Sequence, residues 1–116
     1  MDSRVTTPRI NLVRGDTGPQ IQLTLYDAQT GNPLVLTGAT AELHFRAVGT
    51  TTVLFTRPLT IPGATAAQGL AVIAWGVNDL DQPAGDYEGE VEITFSTGMI
   101  QTVYDTLPFR IREQFA

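Results

Sequence analysis

The sequence predicts an all-β protein, an antiparallel β-sandwich of seven or eight short strands in a single domain. Residues 87–95 alternate strictly between apolar and polar side chains, and several other short segments show the same period of two, which is typical of a half-buried strand. Turn residues separate these segments at short intervals, and no convincing long helix emerges. The length of 116 residues suits one domain with a sizeable core.

Residues 83–97 contain the clearest strand, which we expect to lie at the centre of the fold. Proline and glycine in residues 83–86 predict a turn before it. The inward side chains are Tyr87, Gly89, Val91, Ile93 and Phe95, and the outward ones are Glu88, Glu90, Glu92 and Thr94. A slip of one residue would bury three glutamates, so the register is well specified.

The first half of the chain predicts five further extended segments. They run over residues 10–13, 20–27, 34–36, 39–48 and 52–57, with glycine, proline or asparagine in most of the turns between them. Pro58 cannot donate a hydrogen bond to a neighbouring strand. We therefore expect the strand over residues 52–57 to lie at a sheet edge.

The second half adds a nearly apolar strand at residues 70–75 and a final strand at residues 99–112. A hairpin turn at residues 96–98 connects the central strand to the final one. Asp105 falls on the apolar parity of the final strand, and Pro108 interrupts its hydrogen bonding. Together they predict a bulge or bend between these two residues.

The two ends of the chain are predicted to lie outside the sandwich. We divide the sequence into a flexible N-terminal arm at residues 1–8, a β-sandwich domain at residues 9–112 and a C-terminal tail at residues 113–116. The N-terminal residues lack the apolar run of a signal peptide, and no segment approaches the roughly 20 apolar residues that span a bilayer. We expect neither a signal peptide nor a membrane contact.

The composition excludes several classes of function. There is no cysteine, which rules out a disulfide framework and thiolate metal sites. The net charge of −5 argues against nucleic acid as a partner, because phosphate binding needs a basic surface. The contents of 42% hydrophobic and 16% charged residues are typical of a compact globular chain.

The sequence contains no catalytic or metal-binding motif, and we expect neither an enzyme nor a cofactor. His44 is the only histidine and lies on the polar parity of its strand. Glu88, Glu90 and Glu92 predict a solvated acidic row, with Arg110 and Arg112 of the next strand across from it. The triplet at residues 14–16, Arg-Gly-Asp, can be an integrin ligand, but we interpret it as a turn.

Aromatic residues leave one alternative function open, that of a carbohydrate-binding module. Its platforms would be Tyr26, Tyr87, Tyr104 and Trp75. Such a module needs at least two aromatic rings exposed on one face. Tyr26 lies on a polar parity, whereas Tyr87 and Trp75 lie on apolar parities, which weakens this interpretation.

Three segments, in this order, resemble a phage protein family. They are residues 14–19 (RGDTGP), 36–46 (LTGATAELHFR) and 83–91 (PAGDYEGEV). The resemblance spans about residues 12–112. It is to the N-terminal immunoglobulin-like domain of siphophage upper baseplate proteins and to related small phage and prophage virion proteins. It implies an immunoglobulin-like sandwich that docks on other virion proteins, and it supplies no catalytic residues.

The resemblance implies a non-enzymatic structural protein of the virion, assembled in the host cytoplasm. Its partners would be other tail, baseplate or head–tail junction proteins, and also itself in a symmetric ring. In the baseplate family a helical linker and an attachment region follow this domain, whereas this sequence stops at Ala116, which favours a small accessory subunit. The candidate partner contacts lie on the arm, on the loop at residues 61–68 and on the tail. They are Arg4, Val5, Arg9, Ile61 and Phe115.

Overall fold

The computed structural model describes residues 2–115, which form two packed β-sheets. These residues contain nine strands and one short 3-10 helix, Gly63–Gln68. The strands are β1 (Ser3–Val5), β2 (Ile10–Val13), β3 (Gln20–Asp27), β4 (Thr40–Ala47), β5 (Phe55–Pro58), β6 (Leu70–Ala74), β7 (Gly85–Thr94), β8 (Ile100–Thr102) and β9 (Leu107–Arg112). The predicted all-β class is confirmed.

The two sheets form an immunoglobulin-like sandwich. The smaller sheet has the strand order β1–β3–β6, and the larger has the order β2–β9–β7–β4–β5, with β8 also paired to β7. Neighbouring strands are antiparallel, except that β2 runs parallel to β9. The chain changes sheets between β1 and β2. The inward faces of both sheets enclose one apolar core, as in other sandwiches of this class.

Strand β7 lies at the centre of the larger sheet, as the alternation predicts. It pairs with β4 along one side, from Thr94 opposite Thr40 to Tyr87 opposite Ala47, and with β8 and β9 along the other. Val91 and Ile93 are fully buried. The glutamates of β7 therefore lie on the opposite, outer face of the sheet.

An aromatic cluster joins the two sheets. The ring of Phe45 on β4 stacks on Tyr87 and Phe55, with centroid distances of 5.2 and 4.7 Å, and meets the edge of Trp75 at 5.9 Å. Trp75 directly follows β6 of the smaller sheet, so the cluster spans the interior. The Tyr87 hydroxyl donates to the Pro83 carbonyl oxygen at 2.5 Å, which resembles the tyrosine corner of immunoglobulin-like domains.

The predicted bulge in the final strand is present and divides it into β8 and β9. The pair Glu92–Thr102 and the pair Gly89–Leu107 bound an irregular stretch. Between them β7 contributes residues 90–91, whereas the opposing segment contributes residues 103–106. The two extra residues bend the segment and turn Asp105 away from the core.

The prediction of a flexible arm over residues 1–8 is wrong for residues 3–5. These residues form β1, which pairs with β3 from Ser3 opposite Asp27 to Val5 opposite Leu25. Ser3 and Val5 are both buried, since their side chains alternate inward. Three residues are too short a run to show a period of two. Met1, also placed in the arm, and Ala116, placed in the tail, lie outside the described residues.

Two strand predictions also need correction. Residues 34–36 form no strand and belong to the loop between β3 and β4. The side chains of Leu34 and Leu36 are nevertheless buried in the core. The strand expected over residues 52–57 begins only at Phe55, and Pro58 is its last residue. Its predicted position at a sheet edge is confirmed, because β5 ends the larger sheet.

Gly89 of β7 has no room for a side chain. A Cβ atom there would lie 2.7 Å from Leu43 Cδ1 and 2.9 Å from Phe109 Cε2, both in the core. We predict that Gly89→Ala lowers the free energy of unfolding by about 1–3 kcal/mol through overpacking. Urea denaturation measures this change. Gly18→Ala is the control, because nothing lies within 4 Å of its added Cβ, and an equal loss in both variants would contradict the explanation.

Candidate interaction surface

The structure does not bring the five predicted contacts together. Val5 is buried and is excluded as a contact. Ile61 is partly buried and packs against the core, while Arg9 is exposed between β1 and β2. Phe115 lies beyond β9 and is 97% exposed. Of the five, only Arg4 belongs to a dense cluster of polar and aromatic side chains.

Arg4 connects β1 to the bulge between β8 and β9. Its guanidinium makes two hydrogen bonds to the Asp105 carboxylate, from Nε at 2.9 Å and from Nη2 at 3.0 Å. The Val5 amide donates to the same carboxylate at 3.1 Å, and the Tyr104 amide donates to the Ser3 carbonyl oxygen at 3.0 Å. These bonds join the edge of the smaller sheet to the larger sheet.

Two tyrosines lie beside this junction. The Arg4 guanidinium carbon is 4.8 Å from the centroid of the Tyr104 ring, and Tyr104 is 76% exposed. Tyr26 is the β3 neighbour of Arg4, and its hydroxyl lies 3.1 Å from the hydroxyl of Thr6. We call the group Arg4, Thr6, Tyr26, Tyr104 and Asp105 the seam patch.

The charges of the seam patch stabilise each other. Hydrogen bonding from Arg4 holds the pKa of Asp105 below its ordinary value, against the opposing effect of burial. The Asp105 carboxylate in turn raises the pKa of Arg4, chiefly through the same hydrogen bonds. Both groups are ionised at neutral pH, and the two-pronged contact fixes the plane of the guanidinium.

The acidic row lies on the outer face of the larger sheet, as predicted, but its partners differ from the prediction. Glu88 accepts a hydrogen bond from Arg46 Nε on β4 at 2.7 Å. Arg110 instead pairs with Asp86, because the β7–β9 register places these two residues opposite each other. Arg112 lies opposite Val13 of β2. The expected pairing of Arg110 and Arg112 with the glutamates is therefore wrong.

His44 lies on this same outer face, on the polar side of β4. Its Nδ1 is 3.1 Å from the Thr56 hydroxyl, and its Nε2 is 4.0 Å from a Glu92 oxygen. Glu92 also faces Glu42 directly across the β4–β7 pair. Within residues 2–115 no group of three or more histidine, aspartate and glutamate side chains is arranged to hold a metal ion.

The Arg-Gly-Asp triplet forms a turn whose arginine is engaged within the protein. Arg14 Nε donates to Asp81 at 2.9 Å, and its Nη1 donates to Glu113 at 3.1 Å. Gly15 adopts a positive φ of 85°, and its amide donates to the Leu80 carbonyl oxygen. An integrin that bound the triplet would have to break these hydrogen bonds. The geometry therefore fits the interpretation of the triplet as a turn.

A second two-pronged ion pair escaped the sequence analysis. Arg57 on β5 donates to both carboxylate oxygens of Asp79 at 2.8 Å, and the Gly76 amide donates to Asp79 Oδ2 at 2.7 Å. The Asp79 side chain is only 7% exposed. The pair holds the turn after β6 against the edge of the larger sheet. Arg57 and Asp79 lie 22 residues apart, and no local pattern links them.

The four aromatic platforms considered for a sugar divide into two groups. Trp75 and Tyr87 are buried in the aromatic cluster, and burial raises the pKa of the Tyr87 hydroxyl. Tyr26 and Tyr104 both belong to the seam patch.

Among the described residues, no helix is both long enough and apolar enough to cross a membrane.

Comparison with known proteins gives a likeness of fold. CopC from Methylosinus trichosporium OB3b superposes with a TM-score of 0.55 at 8% identity, covering 98% of this chain and 97% of CopC. The likeness shows the fold alone. Murine CRIg aligns over 98% of this chain and 99% of its own, with a TM-score of 0.41 at 11% identity. No protein-family model and no curated protein sequence matches this chain.

The Arg4–Asp105 pair makes stability depend on pH. Because the pKa of Asp105 is lower in the folded protein than its ordinary value of 3.8, the pair stabilises the fold above that pH. The contribution decreases as the pH falls through the folded-state pKa. We predict that Asp105→Asn is less stable than the wild type at pH 7 and that the difference shrinks below pH 3.8.

Thermal unfolding of both proteins across this pH range measures the effect. Asp16→Asn is the control, because Asp16 has no ion pair among residues 2–115. A stability difference for Asp105→Asn that stayed constant from neutral to acid pH would show that the charge of Asp105 is not what stabilises the junction.

Proposed function

We propose that the protein is a non-enzymatic structural component of a phage virion. It is an immunoglobulin-like module that docks on other tail, baseplate or head–tail junction proteins, and it is assembled into the virion in the host cytoplasm. Its partners are proteins, and neither nucleic acid nor a membrane is involved. The observation that carries the proposal is the exposed Tyr104 ring next to a guanidinium that Asp105 fixes in place.

The seam patch has the composition of a protein-binding surface. Tyrosine and arginine are enriched among the residues that contribute most to protein–protein affinity. Association costs free energy when side chains must be ordered, and Arg4 is already ordered by its two bonds to Asp105. Tyr104 offers a large flat ring that loses little conformational freedom on binding. Arg4 and Tyr104 can therefore contact a partner with little loss of conformational entropy.

The proposal also fits the way in which the remaining charges are used. Arg14, Arg46 and Arg57 each pair with a carboxylate of the same chain. The carboxylates they engage serve to hold turns and strands together. A docking role requires such a rigid scaffold with a few exposed anchors, and it requires no reactive side chain.

The experiment is a test of incorporation into particles. Induced phage particles from the source strain are purified, and the protein is sought in them by mass spectrometry. A strain without the gene is then complemented with Tyr104→Ala. We expect wild-type protein in the particles and a reduced amount of the variant, since loss of one such anchor weakens binding by about 1–2 kcal/mol, or roughly 5- to 30-fold.

Val53→Ala is the matched control, because Val53 is an exposed apolar residue that makes none of the contacts of the seam patch. Point substitution is preferable to deleting residues 1–8, which would remove β1 from the smaller sheet. Absence of the wild-type protein from purified particles would refute a role in the virion. Equal incorporation of both variants would refute the role of Tyr104.

A carbohydrate-binding module is the second candidate. One observation favours it, namely that Tyr26 and Tyr104 both lie beside Arg4, which offers two aromatic rings near a hydrogen-bond donor. Screening on a glycan array distinguishes the two functions. Specific binding that Tyr104→Ala abolishes would support the module, and an array without signal would remove this candidate.

A further inference from the structure

An apolar cleft lies near the end of the sandwich where β7 finishes. Its lining comes from the last residue of β3, Asp27, from five residues of the following loop and from Phe95. The five loop residues are Thr30, Asn32, Pro33, Leu34 and Val35. The cleft is open to solvent and has a volume of about 350 Å³. Val35 in its wall is 62% exposed, although the neighbouring Leu34 and Leu36 are buried. We call this site the end cleft.

The tail presents an aromatic side chain that residues 2–115 leave uncovered. Phe115 is 97% exposed, and the guanidinium carbon of Arg112 lies 4.9 Å from its ring centroid. Full exposure of a phenylalanine is unfavourable in water, and burying such a side chain is worth about 1.5–3 kcal/mol. Phe115 is therefore an exposed apolar side chain, which we call the knob, and the end cleft is an apolar depression of matching chemistry, which we call the hole.

Within one molecule the knob cannot reach the hole. Glu113 accepts hydrogen bonds from Arg14 Nη1 and from the Ala84 amide, which hold the tail at the end where β7 begins. The end cleft lies beyond the other end of β7, a strand of ten residues or about 30 Å. Phe115 is two residues past Glu113, which gives a reach of only about 7 Å. Another molecule must supply the aromatic ring.

We propose that the end cleft receives Phe115 of a second copy of this chain. Charge complementarity favours this partner. The Arg112 guanidinium lies against the Phe115 ring, so it accompanies the ring into a contact. The rim of the end cleft carries the Asp27 carboxylate. Within residues 2–115 this carboxylate accepts a hydrogen bond only from the Gln29 amide. Entry of Phe115 brings Arg112 to the same end of the partner as Asp27.

The contact is head to tail, because the two complementary surfaces lie at opposite ends of the molecule. Such an interface joins copies into a ring when the rotation closes and into a filament when it does not. One buried phenylalanine covers far less than the roughly 1,000 Å² of a stable interface, so association in free solution is weak. Many such contacts on an assembled particle reinforce one another. The inference thus deepens the proposed docking function and rests on it.

Sedimentation velocity and equilibrium of the full chain test the inference. The wild type is expected to associate weakly, so that its average mass rises with concentration up to the highest concentrations that the instrument allows. Phe115→Ala removes the knob, and Val35→Glu places a charge in the hole. Each change should lower the association constant roughly 10- to 100-fold.

A mixture of the two variants provides the sharpest result. The Val35→Glu molecule retains Phe115, and the Phe115→Ala molecule retains an intact end cleft. One interface of wild-type strength can then form between them, whereas the second would join two damaged surfaces. We expect the mixture to form dimers and nothing larger, while each variant alone remains monomeric over the same concentrations.

Val53→Glu is the matched control, because it adds the same charge at a 48% exposed valine on the outer face of the larger sheet. It should associate like the wild type. A wild type that stays monomeric throughout, or a Val35→Glu variant that still associates fully, would overturn the inference. A monomeric wild type that is nevertheless incorporated into particles would overturn only the contact between copies and leave the docking function standing.

Discussion

The contact of Phe45 with rings from both sheets is the packing interaction on which the sandwich depends. Trp75 comes from the smaller sheet, and Tyr87 and Phe109 come from the larger one. Rings in a close-packed interior tolerate little displacement, so the inward residues of β4, β7 and β9 are held in one register. Since side chains alternate along a strand, that register also determines which residues remain outside for contact with other molecules.

The polar side chains serve mainly to fasten irregular parts of the chain to this core. Arg57 holds the turn containing Asp79, and Arg14 holds both Asp81 and the start of the tail at Glu113. Arg4 does the same for the bulge but leaves the Tyr104 ring exposed. The binding proposed at this place would rely on aromatic area and an oriented guanidinium rather than on an unpaired charge.

The sequence predicts the parts of the fold that local alternation determines. The register of β7 and the bulge at Asp105 follow from side-chain parity, and the edge position of β5 follows from Pro58. Pairings between distant segments do not follow from local alternation. The Arg4–Asp105 pair joins residues 101 positions apart, and β1 is too short to show a period. The sequence therefore predicts only part of the seam patch, namely Arg4 and the two tyrosines. It indicates a bend at Asp105 but not the pairing of Asp105 with Arg4.

Closure between β1 and the bulge has a consequence for the order of folding. The N-terminal strand can pair with β3 early in synthesis, but its second anchor is made by Tyr104 and Asp105, and the Val5–Asp105 bond spans 100 positions of the sequence. Contacts of such long sequence separation form late, because the intervening loop must first be closed. During synthesis the β1 margin of the smaller sheet therefore lacks this second anchor until residues 104 and 105 have left the ribosome.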